Sequence, residues 1–497
     1  MSTEDSKSSY RQIVKTTSLF GGVQVIQILS TIIRGKIVAI LLGAIGMGIN
    51  TMLNSIVTLI VQLATVGLNF SAVRDISKAN DTNDFYSLSR IITVFKRMMN
   101  YCAALGAIII ISFSFLISKI TFGNYNYTFG LVVLSIVVVL NILNSSNITI
   151  LQGTQRLKEM AKASLYGSVF GLIFSVPFYY FYGQKGIIPA LITGAIIAFI
   201  LSTFFARKVN IAKIEFGIKT VFKEGSEMAK LGFAMMISTL IGTAVNYLTN
   251  AYIGNVGSLS EVGLYGAGIS ITNQYVGVIF TAMSVDYFPR LSAVSNNKDK
   301  VNEVVNQQAE IVVLIIVPLL ILMILTAPVL IRILLSKQFL VISNFVCWVA
   351  FALLFKAASF ALGYISFAKG DRKTFFIFEG LIGSFLILSC NIIGYRIGGL
   401  TGIAISILIS YIIYLIAVNV LVSKVYKFNL SMNFIKMFAF SVVLMAGTLS
   451  LRLLYPNFIG YVLGAMLLIV SIIYSFFELN KRIGIKTLFS KFKSKAT

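Results

Sequence analysis

Long apolar runs are the feature of this sequence that most constrains its fold. Residues 187–206 and 400–422 contain no charged side chain, and each run is as long as the roughly 20 residues that an α-helix needs to cross a bilayer. The chain of 497 residues is 57% hydrophobic and only 12% charged, with a mean hydropathy of +0.90. This composition excludes a soluble globular protein and predicts an integral membrane protein without a sizeable soluble domain.

The hydropathy pattern predicts an all-α polytopic membrane protein with about fourteen transmembrane helices. An outer-membrane barrel would instead show alternating segments of about ten residues. The predicted spans are residues 14–43, 49–73, 93–118, 128–151, 164–182, 187–206, 231–254, 262–288, 309–335, 344–368, 374–396, 400–422, 434–454 and 459–479.

Basic residues predict the orientation, because Lys and Arg beside short loops stay on the cytoplasmic side. With the amino terminus inside, 32 of the 41 basic residues fall in cytoplasmic segments and six fall at outer span ends. We therefore expect a multi-pass protein with both termini cytoplasmic. The same asymmetry explains the net charge of +24, so we expect contact with membrane lipids and none with nucleic acid.

Several kinds of chemistry are excluded by composition. The chain has no His, which removes His-based catalysis and His metal sites. Cys102, Cys347 and Cys390 each lie in an apolar run without a partner at ligand spacing. The sequence also has no phosphate-binding loop for ATP. We therefore expect no enzyme, no catalytic residue, no metal and no cofactor. Any energy for transport would come from a coupling ion, from the membrane potential or from the substrate itself.

An internal repeat is indicated by the positions of the basic loops. Lys15 and Lys230 precede predicted spans one and seven, and Arg74 and Arg290 follow spans two and eight, at offsets of 215 and 216 residues. A repeat of six spans must be parallel, so it predicts two six-helix lobes related by a pseudo-twofold axis, plus two extra C-terminal helices. The predicted parts are a cytoplasmic N-terminus at 1–13, lobes at 14–229 and 230–430, the extra spans at 431–480 and a basic cytoplasmic tail at 481–497.

Polar stripes run along the first two predicted helices of each lobe. Gln27, Thr31 and Arg34, for example, share one face of the first span. These stripes predict a hydrophilic cavity, although single Ser, Thr and Asn side chains also serve helix packing through interhelical hydrogen bonds. The candidate cavity-lining, sugar-binding residues are Gln24, Gln27, Asn54, Gln62, Asn246, Asn250 and Asn273.

Three basic residues, Arg34, Lys36 and Lys356, lie in predicted spans and belong neither to the cytoplasmic segments nor to the outer span ends. A charge there costs about 2.5 to 3.5 kcal/mol on insertion scales, so each needs a physical reason. Lys356 is too deep to reach an interface, whereas Lys36 points away from Arg34 and could extend to the membrane surface. No acid falls at mid-membrane. Cations without a deep carboxylate predict an anion site for phosphate or diphosphate, and whether Arg34 or Lys36 is the better ligand stays open.

The sequence resembles the O-antigen flippases of the multidrug/oligosaccharidyl-lipid/polysaccharide exporter superfamily, and within it the flippases for lipid-linked enterobacterial common antigen units. The stretches that carry the resemblance are Gly35-Lys36-Ile37-Val38-Ala39, Gly43-Ala44-Ile45-Gly46-Met47-Gly48, Val262-Gly263-Leu264-Tyr265, Pro289-Arg290-Leu291-Ser292, Ala368-Lys369-Gly370 and Glu379. The resemblance implies two lobes that open alternately to each side of a bacterial inner membrane. It also implies transport of undecaprenyl-diphosphate-linked oligosaccharide to the periplasmic leaflet, with Arg34, Lys36 and Lys356 near the diphosphate and polysaccharide polymerase machinery as a partner.

Three other functions are compatible with parts of the sequence. A peptidoglycan-precursor or other lipid-linked polymer flippase would keep the chemistry and change the cargo. A cation-coupled drug exporter of the same superfamily would use a deep Asp or Glu, which this sequence lacks. A polysaccharide polymerase or ligase would need a large external loop, and every predicted outer loop here is short.

Overall fold

A computed structural model describes residues 27–82, 84–212, 214 and 216–483. Gln24, one of the candidate cavity residues, therefore lies outside the described residues. The described residues form α-helices, short 3₁₀ turns and one π-helical segment, and they include no β-strand. The predicted all-α fold is confirmed.

The described part of the chain contains sixteen α-helices, and each predicted span overlaps at least one of them. The helices are α1 at residues 27–41, α2 Gly43–Thr65, α3 Leu68–Asp81, α4 Phe85–Ser112, α5 Ser114–Phe122, α6 Thr128–Gly153, α7 Leu157–Tyr182, α8 Ile187–Ala206, α9 Ile218–Val256, α10 Leu259–Ala293, α11 Lys298–Leu334, α12 Ser343–Ala368, α13 Arg372–Phe375, α14 Gly383–Tyr426, α15 Met432–Leu454 and α16 Phe458–Ile483.

Nine helical segments in the described residues are long and apolar enough to cross a membrane. Two of them, residues 157–206 and 376–426, each contain two predicted spans. In the second case the boundary lies at Gly398 and Gly399, where non-helical dihedral angles kink α14. The number fourteen stays a prediction.

The second predicted span ends earlier than expected. The apolar run predicts a helix to residue 73, but α2 stops at Thr65, and Val66 and Gly67 adopt left-handed angles before α3 begins. Gly67 has φ of +72° and a close backbone neighbour, which only glycine accommodates easily. Hydropathy does not detect this break because the residues on both sides of it remain apolar.

By internal contacts the chain divides into two compact units, with the division between Leu264 and Tyr265 inside α10. In the first unit, α6 is the central helix and packs against α2, α3, α4, α5, α7 and α8. Polar side chains join these helices: Asn147 Nδ2 donates to Ser202 Oγ at 3.2 Å and to Thr203 Oγ1 at 2.9 Å. Such bonds fix helix positions where lipid supplies no hydrophobic driving force.

In the second unit, α11 and α12 form the most buried pair of helices, and α15 and α16 pack on α11. A charged cluster fastens this C-terminal pair at one end. Arg482 Nε lies 2.6 Å from Glu310 Oε2, and the same guanidinium pairs with Glu478. Ser431 Oγ donates to Glu310 Oε1 at 3.1 Å and also caps α15 by accepting from Phe434 N.

Candidate functional site

The first unit contains a cavity of about 330 Å³ between α1, α2, α6, α7 and α8. Three predicted residues, Gln27, Arg34 and Asn54, line it together. They come from two helices, α1 and α2, whose polar stripes thus face one space. Its wall also holds amide and hydroxyl groups from α6 and α7.

Arg34 is the only charged residue among those that line this cavity. Its side chain is half-buried, and a Cβ atom added to Gly171 would lie 3.6 Å from its Nη2 atom. In the part of the chain that the structure describes, no hydrogen bond or ion pair involves its guanidinium group. The five N–H donors of Arg34 are therefore available to an anionic ligand.

Sequence reasoning missed the contribution of α6 and α7 to this cavity. A signal was present, since the polar lining positions of α7 follow one another at steps of four, seven and four residues, which place them on one helical face. The predicted stripes cover only the first two helices of each lobe. The additional polar lining residues are Asn141, Asn144, Ser164, Ser168, Ser175 and Tyr179.

The second unit contains a cavity of about 480 Å³, and Lys356 lines it. Lys356 lies thirteen residues after the start of α12 and twelve before its end, so the charge is at the middle of an apolar helix as predicted. The other lining residues are Ser359, Phe360, Gly363, Tyr364, Phe367, Gly383, Ser384, Ile387, Tyr411 and Tyr414.

The ammonium group of Lys356 makes cation–π contacts with two aromatic rings. Its Nζ atom lies 5.7 Å from the ring centroids of both Phe280 and Tyr411, within the distance at which a ring face attracts a cation. No hydrogen bond or ion pair among the described residues involves Nζ, and no carboxylate is among the residues lining this cavity. The ammonium group can therefore still bind an anion.

Five predicted residues line neither of these two cavities: Lys36, Gln62, Asn246, Asn250 and Asn273. Lys36 is half-buried on α1, and Asn273 is exposed on α10. Asn246 is exposed, whereas Asn250 is only 2% exposed and donates to Ser55 Oγ at 3.1 Å and to Asn246 Oδ1 at 3.2 Å. Asn250 thus makes the interhelical packing contact between α2 and α9 that the sequence left as an alternative.

Gln62, the remaining predicted residue, also lines neither cavity. Its side chain is half-buried, and its Oε1 atom is buried without a hydrogen-bond partner among the described residues. An unpaired buried carbonyl oxygen is unfavourable.

The sequence matches a protein family described as "Polysaccharide biosynthesis protein" over residues 37–344. The chain belongs to this family. The matched range includes Asn54 and excludes both Arg34 and Lys356. Family membership therefore does not depend on the two cavity cations.

Two similar proteins of this kind carry the name Lipid III flippase. That of Escherichia coli (strain K12) is 21% identical over 348 residues, which are 69% of this chain and 82% of that protein. That of Shigella flexneri gives the same values. These relatives are named as flippases and not as enzymes.

Solved structures show the fold that this member of the polysaccharide biosynthesis protein family shares. The Lipid II flippase MurJ in an inward closed conformation has a TM-score of 0.71 and 16% identity, covering 94% of this chain and 99% of MurJ. An inward-facing multidrug resistance MATE transporter of the MOP superfamily has a TM-score of 0.68 and 14% identity, covering 81% of this chain and 94% of that one. This chain therefore shares the fold of these two transporters.

Proposed function

We propose that this protein is a flippase that moves an undecaprenyl-diphosphate-linked oligosaccharide from the cytoplasmic to the periplasmic leaflet of a bacterial inner membrane by alternating access. The cargo would be an O-antigen unit or a similar surface polysaccharide unit. One observation carries the proposal: each unit has a cavity lined by a cation, Arg34 or Lys356, without an anionic partner among the described residues. The names of the relatives support the same class of cargo.

The cations favour a ligand that carries its own negative charge. A charge among apolar helices is costly to insert, and a bound anion offsets this cost through charge-assisted hydrogen bonds. A diphosphate supplies several acceptor oxygens. Arg34 can bind them with a planar fork of N–H donors, and Lys356 can bind them as a compact charge.

The remaining lining suits a saccharide. In the first unit the amides of Gln27, Asn54 and Asn141 can donate to and accept from sugar hydroxyls. In the second unit Tyr411 and Tyr414 present apolar ring faces together with hydroxyl groups. These contacts are individually weak, which suits a transporter that must release its cargo. The lipid tail can remain in the membrane throughout, and polymerase machinery would receive the unit after transfer.

A peptidoglycan-precursor flippase is the second candidate. The similarity to MurJ covers 94% of this chain, against 81% for the MATE transporter. The cargo of a peptidoglycan-precursor flippase would carry the same diphosphate, so both cavity cations would have the same role. A cation-coupled drug exporter is disfavoured because no carboxylate lines either cavity.

The test is depletion of the protein followed by measurement of lipid-linked intermediates on the cytoplasmic leaflet. We expect lipid-linked oligosaccharide to accumulate and to be cleared by wild type but not by Lys356→Ala at equal membrane abundance. Accumulation of lipid-linked peptidoglycan precursor would favour the second candidate. Unchanged lipid intermediates with altered drug sensitivity would reject both flippase functions.

A further inference from the structure

Two pairs of glycines bring helix backbones into direct contact at opposite ends of α2, and all four glycines lie in the first unit. At the start of α2, Gly48 meets the first turns of α10. A Cβ atom added to Gly48 would lie 1.8 Å from Leu259 O, and one added to Gly263 would lie 2.0 Å from Ala44 O. These distances leave no room for any side chain at either position.

The second pair lies where α2 gives way to α3. A Cβ atom added to Gly67 would lie 2.3 Å from Gly232 O, and one added to Gly232 would lie 2.1 Å from Gly67 O. Helix α2 has 23 residues and is therefore about 35 Å long. The two glycine contacts are separated by about the thickness of a bilayer core.

The two glycines of the first pair also match each other in the predicted internal repeat. Gly48 and Gly263 are 215 residues apart, the same offset that separates Lys15 from Lys230. Under the predicted repeat they are equivalent positions of the two halves.

We propose that the Gly48–Gly263 and Gly67–Gly232 contacts are the outer and inner closing contacts of the transport cycle, which separate in turn. The proposal rests on the alternating access of the proposed function, and the predicted orientation places Gly48 on the periplasmic side and Gly67 on the cytoplasmic side. A contact between two glycine backbones interlocks no side chains, so it can separate and re-form without repacking. It also seals tightly, because backbone atoms approach more closely at glycine than at any other residue.

A methyl group is the sharpest probe of each contact. Gly48→Ala and Gly263→Ala place a methyl where a carbonyl oxygen lies, and should hold the outer contact open. Gly232→Ala should do the same to the inner contact. Gly67 is unsuitable because its positive φ would add backbone strain to any substitution.

The readout is access to the first cavity from each side of the membrane. Asn54→Cys, in a chain whose three native cysteines are replaced by Ser, places a reporter thiol on the cavity wall. Its labelling by a membrane-impermeant maleimide is measured in right-side-out and in inside-out vesicles. We expect Gly48→Ala and Gly263→Ala to increase periplasmic-side labelling several-fold, and Gly232→Ala to increase cytoplasmic-side labelling by a similar factor.

Gly242→Ala on α9 is the matched control, because nothing lies within 4 Å of its added Cβ atom. It should leave labelling from both sides as in the parent. Unchanged sidedness in Gly48→Ala, Gly263→Ala and Gly232→Ala would overturn the proposal. So would failure of all three to reach the membrane while Gly242→Ala does, because the contacts would then serve folding only.

Failure of this inference and failure of the proposed function give different results. Thiol labelling needs no cargo, so a change of sidedness would support the closing contacts even if no lipid intermediate accumulates on depletion. Conversely, accumulation of lipid-linked oligosaccharide with unchanged labelling would support the flippase and reject these glycines as closing contacts.

Discussion

The ammonium nitrogen of Lys356 lies 5.7 Å from the centroid of the Tyr411 ring. The ring holds the charge at the cavity wall without neutralising it, because a ring face attracts a cation but carries no net charge. An ion pair in the same place would fill the anion site with a carboxylate. The aromatic partner leaves Lys356 available to a ligand.

Removing the Tyr411 ring should therefore weaken transport. We expect Tyr411→Leu to lower the rate of lipid-intermediate clearance several-fold, as a cation–π contact contributes about 0.5 to 2 kcal/mol. Tyr411→Phe keeps the ring face and should stay within about twofold of wild type, on the same reasoning. Tyr455→Leu, at an exposed tyrosine outside the cavity, is the control. Equal activity of the Leu and Phe variants at position 411 would contradict the positioning role.

The two cavity cations should be needed for transport and not for insertion. Arg34→Ala and Lys356→Ala should each reduce clearance about tenfold or more, because hydrogen bonds to charged groups contribute about 1.5 to 3 kcal/mol. Arg34→Lys keeps the charge but loses the planar fork, so we expect partial activity. Exposed Lys185 lines neither cavity, and Lys185→Ala is the control. Wild-type rates in both alanine variants, at equal membrane abundance, would reject the cationic cavities.

The Arg482 cluster should stabilise the docking of α15 and α16 on α11. Arg482→Gln leaves the side chain of Glu310, which is 12% exposed, without its partner. We expect a loss of about 1 to 3 kcal/mol, since removing one member of a buried pair is costly. Thermal unfolding in detergent measures it, and Glu310→Gln combined with Arg482→Gln should cost less than the sum of the single changes.

The control for that prediction is an exposed ion pair in the first unit. Arg74 pairs with Asp75 at 2.7 Å, but its side chain is 63% exposed. Arg74→Gln should change the melting temperature little, because exposed pairs contribute little to stability. Equal shifts for Arg74→Gln and Arg482→Gln would argue against a specific role of the cluster.

Asp371, in the loop after α12, should make the stability of the fold depend on pH in the acid range. Hydrogen bonds from Thr374 Oγ1 at 2.7 Å, Thr374 N at 3.1 Å and the Tyr426 hydroxyl at 2.8 Å lower the pKa of Asp371 below its usual 3.8. A folded-state pKa below the unfolded value stabilises the fold above about pH 4, and this stability is lost as the pH falls through the lowered folded value.

We therefore expect Asp371→Asn to lower the melting temperature at pH 7 and to differ less from wild type at pH 3. Thermal unfolding in detergent at the two pH values measures this. Thr374→Val removes the hydroxyl donor and should show a smaller effect in the same direction. A wild-type advantage that is constant between the two pH values would exclude the carboxylate as its source.

The helices could be predicted because insertion free energy is nearly a sum over local residues. Helix α8 runs from Ile187 to Ala206, exactly the predicted range, and α12 begins one residue before its prediction. The same local reasoning identified the deep charge at Lys356. It also placed the break between the eleventh and twelfth predicted spans, because a polar and glycine-rich stretch interrupts the apolar run there.

The site was only partly predictable from the same information. Asn54 and Asn250 look alike in sequence, as both are amides on a polar helix face. In the structure Asn54 lines a cavity, whereas Asn250 is buried against Ser55. Likewise Arg34 lines the first cavity, and Lys36, two residues later, does not. Helical spacing gives the direction of a side chain but not what lies opposite to it.

The sequence by itself determined that this chain is a bundle of apolar helices with three cations inside predicted spans, because hydropathy and charge are properties of single residues and short segments. Only the tertiary structure decided which polar groups meet around a cavity, that α6 and α7 contribute to it, and that Gly48 contacts Gly263. A cavity is the space left by helices that are distant in sequence, and a glycine contact needs two backbones to approach. Both depend on packing between segments, which no local pattern specifies.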